Sequence, residues 1–128
     1  MLVDTSVWVQ VFRKTAPLDL RHYVEPGDVV ICLPIAQELL QGFRDDATFQ
    51  TARAALDALI WVESPLTMEL VDHAVALYRA ARKRGLTIRS GVDCLIAACA
   101  IRHGLVVLHA DRDYTALARV SPLQQRRV

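Results

Sequence analysis

Apolar residues along this 128-residue chain fall into two patterns, short continuous runs and longer runs with helical spacing. The short runs are rich in β-branched residues, which is typical of strands buried in a parallel sheet. They lie at 2–3, 29–33, 60–62 and 105–108. The longer runs repeat apolar positions every three or four residues, as amphipathic helices do. They cover 34–42, 47–59, 67–84 and 91–103, with a short helix at 114–117.

The alternation of strands and helices predicts an α/β fold with a mostly parallel central sheet and helices on both faces. The connections are too short for separate domains, so we expect one domain spanning residues 1–128. Segment 7–12 fits either a helix or an extended run, because its periodicity does not separate the two. The tail from about residue 121 carries no core pattern, and we expect it to be mobile.

Composition narrows the functional classes. With 15 Lys and Arg against 14 Asp and Glu, the chain lacks the strongly basic charge of many nucleic-acid-binding domains. Nucleic acid stays possible as a substrate, because local patches or a bound cation attract phosphate. Three cysteines without a C-x-x-C pair argue against a disulfide framework and a thiolate zinc site. The chain has no secretory signal pattern and no apolar run of membrane-spanning length, so we expect a cytoplasmic soluble protein.

Acidic residues follow the predicted strands or open the helices behind them. Asp4 follows the first strand, and Glu38 lies early in the helix after the second. Asp93 lies in the first turn of an apolar helix, and Asp111 and Asp113 follow the last strong strand. The carboxyl ends of parallel strands meet at one edge of a sheet, so we expect these acids to lie together. Each acid alone is better explained by helix capping or by the helix dipole, and it is their joint placement that indicates a site.

Crowded carboxylates repel one another, and a divalent cation removes that conflict. All-oxygen sites favour Mg²⁺ or Mn²⁺. Carboxylate-held ions of this kind can activate water for phosphodiester cleavage, with no serine or cysteine nucleophile. The hydroxyl of Thr5 or Ser6 is suited to position a water molecule or a phosphate oxygen near such ions.

Four segments, in this order and spacing, resemble the motifs of PIN-domain ribonucleases, and specifically of the small VapC-type toxins of bacterial toxin–antitoxin pairs. They are Asp-Thr-Ser-Val-Trp at 4–8, Glu-Leu-Leu-Gln-Gly at 38–42, Asp-Cys-Leu-Ile-Ala-Ala-Cys-Ala at 93–100 and His-Ala-Asp-Arg-Asp-Tyr at 109–114. Together the motifs span residues 4–114, and the combination is far more specific than any one of them. The resemblance implies a PIN-like fold and a metal-dependent endoribonuclease that uses Mg²⁺ or Mn²⁺.

The resemblance also implies roles for particular residues. The metal-binding and catalytic acids it implies are Asp4, Glu38, Asp93 and Asp111. Asp4 and Asp93 would be direct ligands, with Asp113 as a fifth acid and Ser6, alongside Thr5, as a supporting hydroxyl. The implied partners are an RNA substrate, a second copy of the chain and a VapB-like antitoxin whose C-terminal segment covers the active-site groove. Larger toxin–antitoxin assemblies are compatible with the same resemblance.

Substrate contacts are less well defined by the sequence. The dense basic stretch before Asp93 is either an RNA-binding surface or a solvated helix end, and it comprises Arg79, Arg82, Lys83, Arg84 and Arg89. Arg112 is a candidate salt-bridge partner or phosphate contact. Setting aside the five acids of the proposed site leaves nine acids against 15 basic residues, so we expect a basic surface around an acidic pocket.

Other functional classes fit the sequence less well. A phosphoacceptor receiver domain needs a lysine late in the chain, and no lysine follows Lys83. A dinucleotide-binding fold needs a glycine-rich first loop, and none follows the first strand. A catalytically degenerate PIN-fold module that only pairs with an antitoxin-like protein is the main alternative, and acids at all four motif positions argue against it.

Overall fold

Strands and helices alternate along the whole chain in the computed structural model, which describes residues 1–128. The strands are β1 (Leu2–Val3), β2 (Val30–Cys32), β3 (Ile60–Val62), β4 (Val106–His109) and β5 (Gln124–Arg127). The helices are α1 (Thr5–Val11), α2 (Leu33–Gln41), α3 (Asp46–Asp57), α4 (Met68–Lys83), α5 (Gly91–Arg102) and α6 (Arg112–Leu117). Two short 3-10 turns, Leu20–His22 and Pro26–Asp28, connect α1 to β2. No helix is both long and apolar enough to cross a lipid bilayer.

The sheet has the strand order β3-β2-β1-β4-β5, and every neighbouring pair is parallel. This confirms the predicted α/β class with a parallel central sheet. β1 is the middle strand, with Leu2 aligned to Val30 of β2 and to Val107 of β4. The segments that follow β1, β2 and β4 therefore leave the sheet side by side along one edge.

The helix α5 is buried along most of its length, which explains why its sequence is apolar on every side. Its buried residues include the run Ile96–Ala100, and four of those five residues are alanine or cysteine. Small side chains let neighbouring elements approach the helix backbone closely. Asp93 in the first turn of α5 is thus attached to one of the most constrained elements of the fold.

The segment that periodicity left open, 7–12, is helical through Val11. Asp4 ends β1 with an extended backbone and caps α1, because its carboxylate accepts a hydrogen bond from the Ser6 amide at 2.9 Å. An N-cap aspartate directly after a strand favours an immediate strand-to-helix turn.

The tail from about residue 121, expected to be mobile because it carries no core pattern, contains a strand at 124–127. These residues form β5, which pairs in parallel with β4 over four positions. Leu123 is buried just before the strand, and the Val128 amide donates to the His109 carbonyl at 3.0 Å. The strand is polar because it lies at the sheet edge, largely exposed and held by backbone hydrogen bonds rather than by apolar burial.

Candidate metal centre

Acidic side chains from three segments meet at the carboxyl edge of the sheet. Asp4 follows β1, Asp93 lies in the first turn of α5, and Asp111 and Asp113 lie at the start of α6. One carboxylate oxygen from each of Asp93, Asp111 and Asp113 lies within 4.8 Å of the others; we call these three residues the acid trio. Asp4, Asp93 and Asp113 are buried, at 3%, 8% and 1% exposure. Crowded carboxylates in a buried site repel one another, and either protonation or a source of positive charge relieves the repulsion.

Asp4 lies beside the trio and is held by hydrogen bonds on both carboxylate oxygens. The Tyr114 hydroxyl donates to Asp4 Oδ1 at 2.6 Å, and its oxygen is 3.5 Å from Asp93 Oδ1. The Ser6 amide and hydroxyl both donate to Asp4 Oδ2. Ser6 Oγ accepts in turn from the Ala110 amide at 2.9 Å, so one serine joins α1 to the loop after β4.

Among the clustered acids, Asp93 is the one whose ionisation is clearly disfavoured. Its pKa is raised from 3.8 to about 7, first by burial and then by the negative charges of Asp4, Asp111, Asp113 and Glu38. Burial and the neighbouring acids also raise the pKa of the Tyr114 phenol, so Tyr114 keeps its proton and acts as a donor. A divalent cation would neutralise the acids and remove the penalty on Asp93. The donor set, carboxylate oxygens alone, fits Mg²⁺ or Mn²⁺.

Glu38 lies on α2, half-buried at the rim of the acids. Its Oε2 accepts from Thr5 Oγ1 at 2.9 Å, and its charge is among those that raise the pKa of Asp93. The structure thus brings the four acids implied by the motifs to one edge, but the closest group contains Asp113 rather than Asp4 or Glu38.

Helix capping accounts for Asp4 and Asp111, which cap α1 and α6, but not for Asp93 and Asp113. Ser90 precedes α5 without a side-chain capping hydrogen bond, so Asp93 is not part of a reciprocal capping box. The cap of α6 is Asp111, whose Oδ1 accepts from the Asp113 amide at 3.0 Å. The sequence allowed Asp113 to be only a helix cap. Its carboxylate lies in the acid trio instead.

Arg89 is the cation that the structure does place on the trio. Its amide donates to Asp113 Oδ2 at 2.7 Å, and its Nε donates to Asp113 Oδ1 at 3.2 Å. Its Nη2 is bonded to Asp111 Oδ1. Arg89 belongs to the basic stretch that the sequence left open as an RNA-binding surface or a solvated helix end, and its guanidinium is engaged with the acids. Arg112, the predicted salt-bridge candidate, is exposed and makes no ion pair.

Three other members of the basic stretch, Arg82, Lys83 and Arg84, lie away from the acid trio. Arg82 packs over the Tyr78 ring, 5.2 Å from its centroid, and Lys83 is the exposed last residue of α4. The Arg84 guanidinium donates to the carbonyl of Arg119 at 2.9 Å. None of these three residues contacts the acid trio.

His109 supports the loop that carries Asp111. The ring is fully buried, and its Nδ1 accepts from the Asp111 amide at 3.2 Å. Because Nδ1 is an acceptor, the ring proton lies on Nε2 and is donated to Gln125 Oε1 at 2.6 Å. His109 thereby connects the edge strand β5 to the loop that carries Asp111. Sequence reasoning assigned no role to Gln125, because no pattern predicted β5.

We expect Arg89→Gln to strengthen Mn²⁺ binding and to destabilise the metal-free protein. The guanidinium neutralises Asp111 and Asp113 when no metal is bound, so its loss leaves their charges unopposed. The same loss removes a competitor for Asp111, and metal affinity should rise by about tenfold. Thermal unfolding in EDTA and in a Mn²⁺ series measures both effects. Arg102→Gln, which breaks pairs with Glu63 and Glu69, is the control, and equal Mn²⁺ responses in the two variants would contradict the expectation.

Comparison with known proteins agrees with this geometry. Residues 1–120 match the family model of the PIN domain. Ribonuclease VapC11 of Mycobacterium tuberculosis is 41% identical over 131 residues, covering 97% of this chain and 96% of that protein. Ribonuclease VapC51 of the same organism is 32% identical, covering 94% and 86%. A DNA-bound VapBC structure from Salmonella typhimurium shares the fold, with a TM-score of 0.79 at 16% identity over 98% and 96% of the two chains. The resemblance predicted from the four motifs is confirmed: the chain belongs to the PIN-domain family, among the VapC ribonucleases.

Proposed function

We propose that the chain is a Mg²⁺- or Mn²⁺-dependent endoribonuclease, the toxin of a toxin–antitoxin pair that acts in the cytoplasm. The observation that carries this proposal is the acid trio beside Asp4, where burial and the neighbouring negative charges raise the pKa of Asp93 to about 7. The names of the relatives, which are ribonucleases, support RNA as the substrate.

The cation would be held by carboxylates of Asp93, Asp111 and Asp113, with Asp4 completing the acidic wall. When bound, such a cation neutralises these acids and polarises both the phosphodiester and the attacking water. Mg²⁺ is usually held by few protein carboxylates, with waters and substrate phosphate as its other ligands, which leaves room for RNA. The Arg89 guanidinium bonds Oδ1 of both Asp111 and Asp113, and its amide donates to Oδ2 of Asp113, so a cation bound here would compete with this guanidinium.

The neighbouring residues orient the acids by hydrogen bonds, and Glu38 keeps one oxygen free to accept a proton from water. Tyr114 and Ser6 fix the two oxygens of Asp4, so its orientation is set before any ligand arrives. Thr5 occupies Oε2 of Glu38, and Oε1 is left to accept a hydrogen bond or a proton from water at the rim. His109 holds the backbone amide of Asp111. These fixed hydrogen bonds reduce the reorganisation that the reaction requires.

The proposed partners are a VapB-like antitoxin and a second copy of this chain. The fold neighbours include the VapBC complexes from Salmonella typhimurium and Rickettsia felis, which supports a VapB-like antitoxin as the partner. A partner that covers the acids would block substrate access, so the toxin would be inactive in the complex.

Cleavage of total cellular RNA tests the proposed activity. We expect cleavage with Mg²⁺ or Mn²⁺, none in excess EDTA, and a loss of about 10²-fold or more in Asp4→Asn, because orientation and charge at a metal site both depend on this carboxylate. Asp72→Asn, an exposed acid on α4 purified in the same way, is the matched control. Undiminished cleavage in EDTA, or by Asp4→Asn, would contradict the metal-dependent mechanism.

A further inference from the structure

An arginine-lined cavity of about 410 Å³ opens next to the metal centre. Its walls come from the loop 85–87, from α6 and Arg119 just after it, and from β5. Three of the lining side chains are arginines, Arg112, Arg119 and Arg127; we call this space the arginine cavity. Arg127 reaches it only because the polar tail forms β5, which runs beside β4.

The cavity carries unneutralised positive charge. Arg112, Arg119 and Arg127 are exposed, and none of them is among the ion pairs of the molecule. The single acid in the lining is Asp113, and its carboxylate is already bonded to Arg89. Arg84 donates to the carbonyl of Arg119, which brings a fourth guanidinium to the same region. These charges attract an anion and have no partner within the chain.

The cavity adjoins the acid trio, because Asp113 lines the cavity and also belongs to the trio. A polyanion cleaved at the trio would therefore lie beside a positively charged space. The planar fork of arginine donates two parallel hydrogen bonds to phosphate oxygens, which suits a phosphodiester backbone.

We propose that the arginine cavity binds the phosphodiester backbone of the RNA strand beside the scissile bond, through Arg112, Arg119 and Arg127. The inference rests on the proposed ribonuclease function and adds the path of the substrate. The main RNA contacts then lie on α6, just after α6 and on β5, rather than at the predicted Arg82, Lys83, Arg84 and Arg89. Arg84 remains at the border of the cavity, whereas Arg82 lies against Tyr78.

Fluorescence anisotropy with a labelled single-stranded oligouridylate in EDTA tests the proposal without cleavage. The test variant carries Arg112→Gln, Arg119→Gln and Arg127→Gln. The control variant carries Arg13→Gln, Lys14→Gln and Arg44→Gln, three exposed cations near the C-terminal ends of α1 and α2. The two variants lose the same net charge. Circular dichroism establishes that both are folded, and the single Arg127→Gln variant provides a smaller perturbation.

We expect the cavity variant to bind at least about tenfold more weakly, with a smaller salt dependence. Each phosphate contact to a single strand contributes about 0.7 to the slope of log K against log salt, so three lost contacts lower the slope by about 2. Arg127→Gln should lower it by about 0.7. The control variant should keep most of the wild-type slope.

Three results would overturn the proposal. The first is an equal loss of oligouridylate binding in the two triple variants, and the second is no measurable binding by the wild type. The third is that the cavity variant loses the wild-type binding to a polyglutamate peptide but still binds oligouridylate. The last result would assign the cavity to an acidic protein segment instead. Because binding is measured in EDTA, its outcome is separate from that of the cleavage assay: RNA binding through the cavity without any metal-dependent cleavage would refute the proposed activity alone.

Discussion

Replacing Asp93 with asparagine should reduce RNA cleavage by about 10²-fold or more and, at the same time, raise the melting temperature of the metal-free protein. Asparagine keeps the size of the side chain but removes one of the three carboxylates proposed to hold the cation, and metal sites depend strongly on such groups. The stability gain has the same origin. Without metal, the Asp93 carboxylate is buried among Asp4, Asp111 and Asp113, and its charge opposes folding.

The pH dependence of stability separates this explanation from a general effect of the substitution. Asp93 has a pKa of about 7 in the folded protein and an ordinary value of 3.8, so the folded state binds more protons than the unfolded state between these pH values. The free energy of unfolding therefore falls as pH rises through this window, and the penalty is complete above about pH 7. At about 1.4 kcal/mol per pKa unit, the full penalty is on the order of a few kcal/mol.

Thermal unfolding in EDTA at pH 5 and at pH 8 measures the effect. The gain of Asp93→Asn over the wild type should be several degrees at pH 8 and smaller at pH 5. Asp72→Asn, an exposed acid outside the site, should show no such difference. A lower melting temperature for Asp93→Asn at pH 8, or undiminished cleavage, would contradict the crowded-carboxylate account.

Replacing Tyr114 with phenylalanine should also have a large effect, although the change removes one oxygen atom. Tyr114 is fully buried, and its hydroxyl donates to Asp4 at 2.6 Å. Without that donor, Asp4 loses the hydrogen bond that orients its Oδ1 and keeps a buried charge with less compensation. We expect cleavage and Mn²⁺ affinity to fall by about 10- to 100-fold. The free energy of unfolding should fall by about 1–3 kcal/mol.

Mn²⁺ affinity distinguishes positioning of Asp4 from a loss of stability alone. It is measured calorimetrically at a temperature where the variant and the wild type are both fully folded. Tyr78→Phe is the control, because Tyr78 is a half-buried tyrosine on α4 whose hydroxyl has no hydrogen-bond partner and lies outside the site. Wild-type Mn²⁺ affinity in Tyr114→Phe would show that Tyr114 does not position the metal-binding acids.

The location of the acids at one edge could be predicted from the sequence because it follows from topology. Once the β-branched runs are recognised as parallel strands, residues directly after them must lie at the carboxyl edge. Asp4 and Asp111 are of this kind, and Asp93 follows from its place at the start of a buried helix. The order of the strands adds one fact that the sequence did not supply, which is that β1 is the centre of the sheet.

The side chains that hold these acids could not be predicted, because their contacts cross long stretches of sequence. Arg89 reaches Asp111 and Asp113 across 22 and 24 positions, and Tyr114 reaches Asp4 across 110. Hydrophobic periodicity contains no information about such pairs. Arg89 was instead grouped with its charged neighbours, since proximity in sequence was the only available criterion.

β5 could not be predicted for a different reason. Periodicity detects elements that bury apolar side chains, whereas β5 is stabilised by pairing with β4 and by the bond between His109 and Gln125. Because β5 was not predicted, the arginine cavity was not predicted either. Arg127 comes near α6 only through the pairing of β5 with β4. The predicted basic surface around an acidic pocket was therefore defined by charge count, without the residues that form it.

The position of Mn²⁺ in crystals of the wild-type protein, located by anomalous scattering, tests most directly the claim that these carboxylates form a metal centre. The account predicts an anomalous peak among the carboxylates of Asp93, Asp111 and Asp113, beside Asp4, with the Arg89 guanidinium displaced from Asp111 and Asp113. No peak at saturating Mn²⁺, or a peak bound only elsewhere while Arg89 stays on the acid trio, would contradict it.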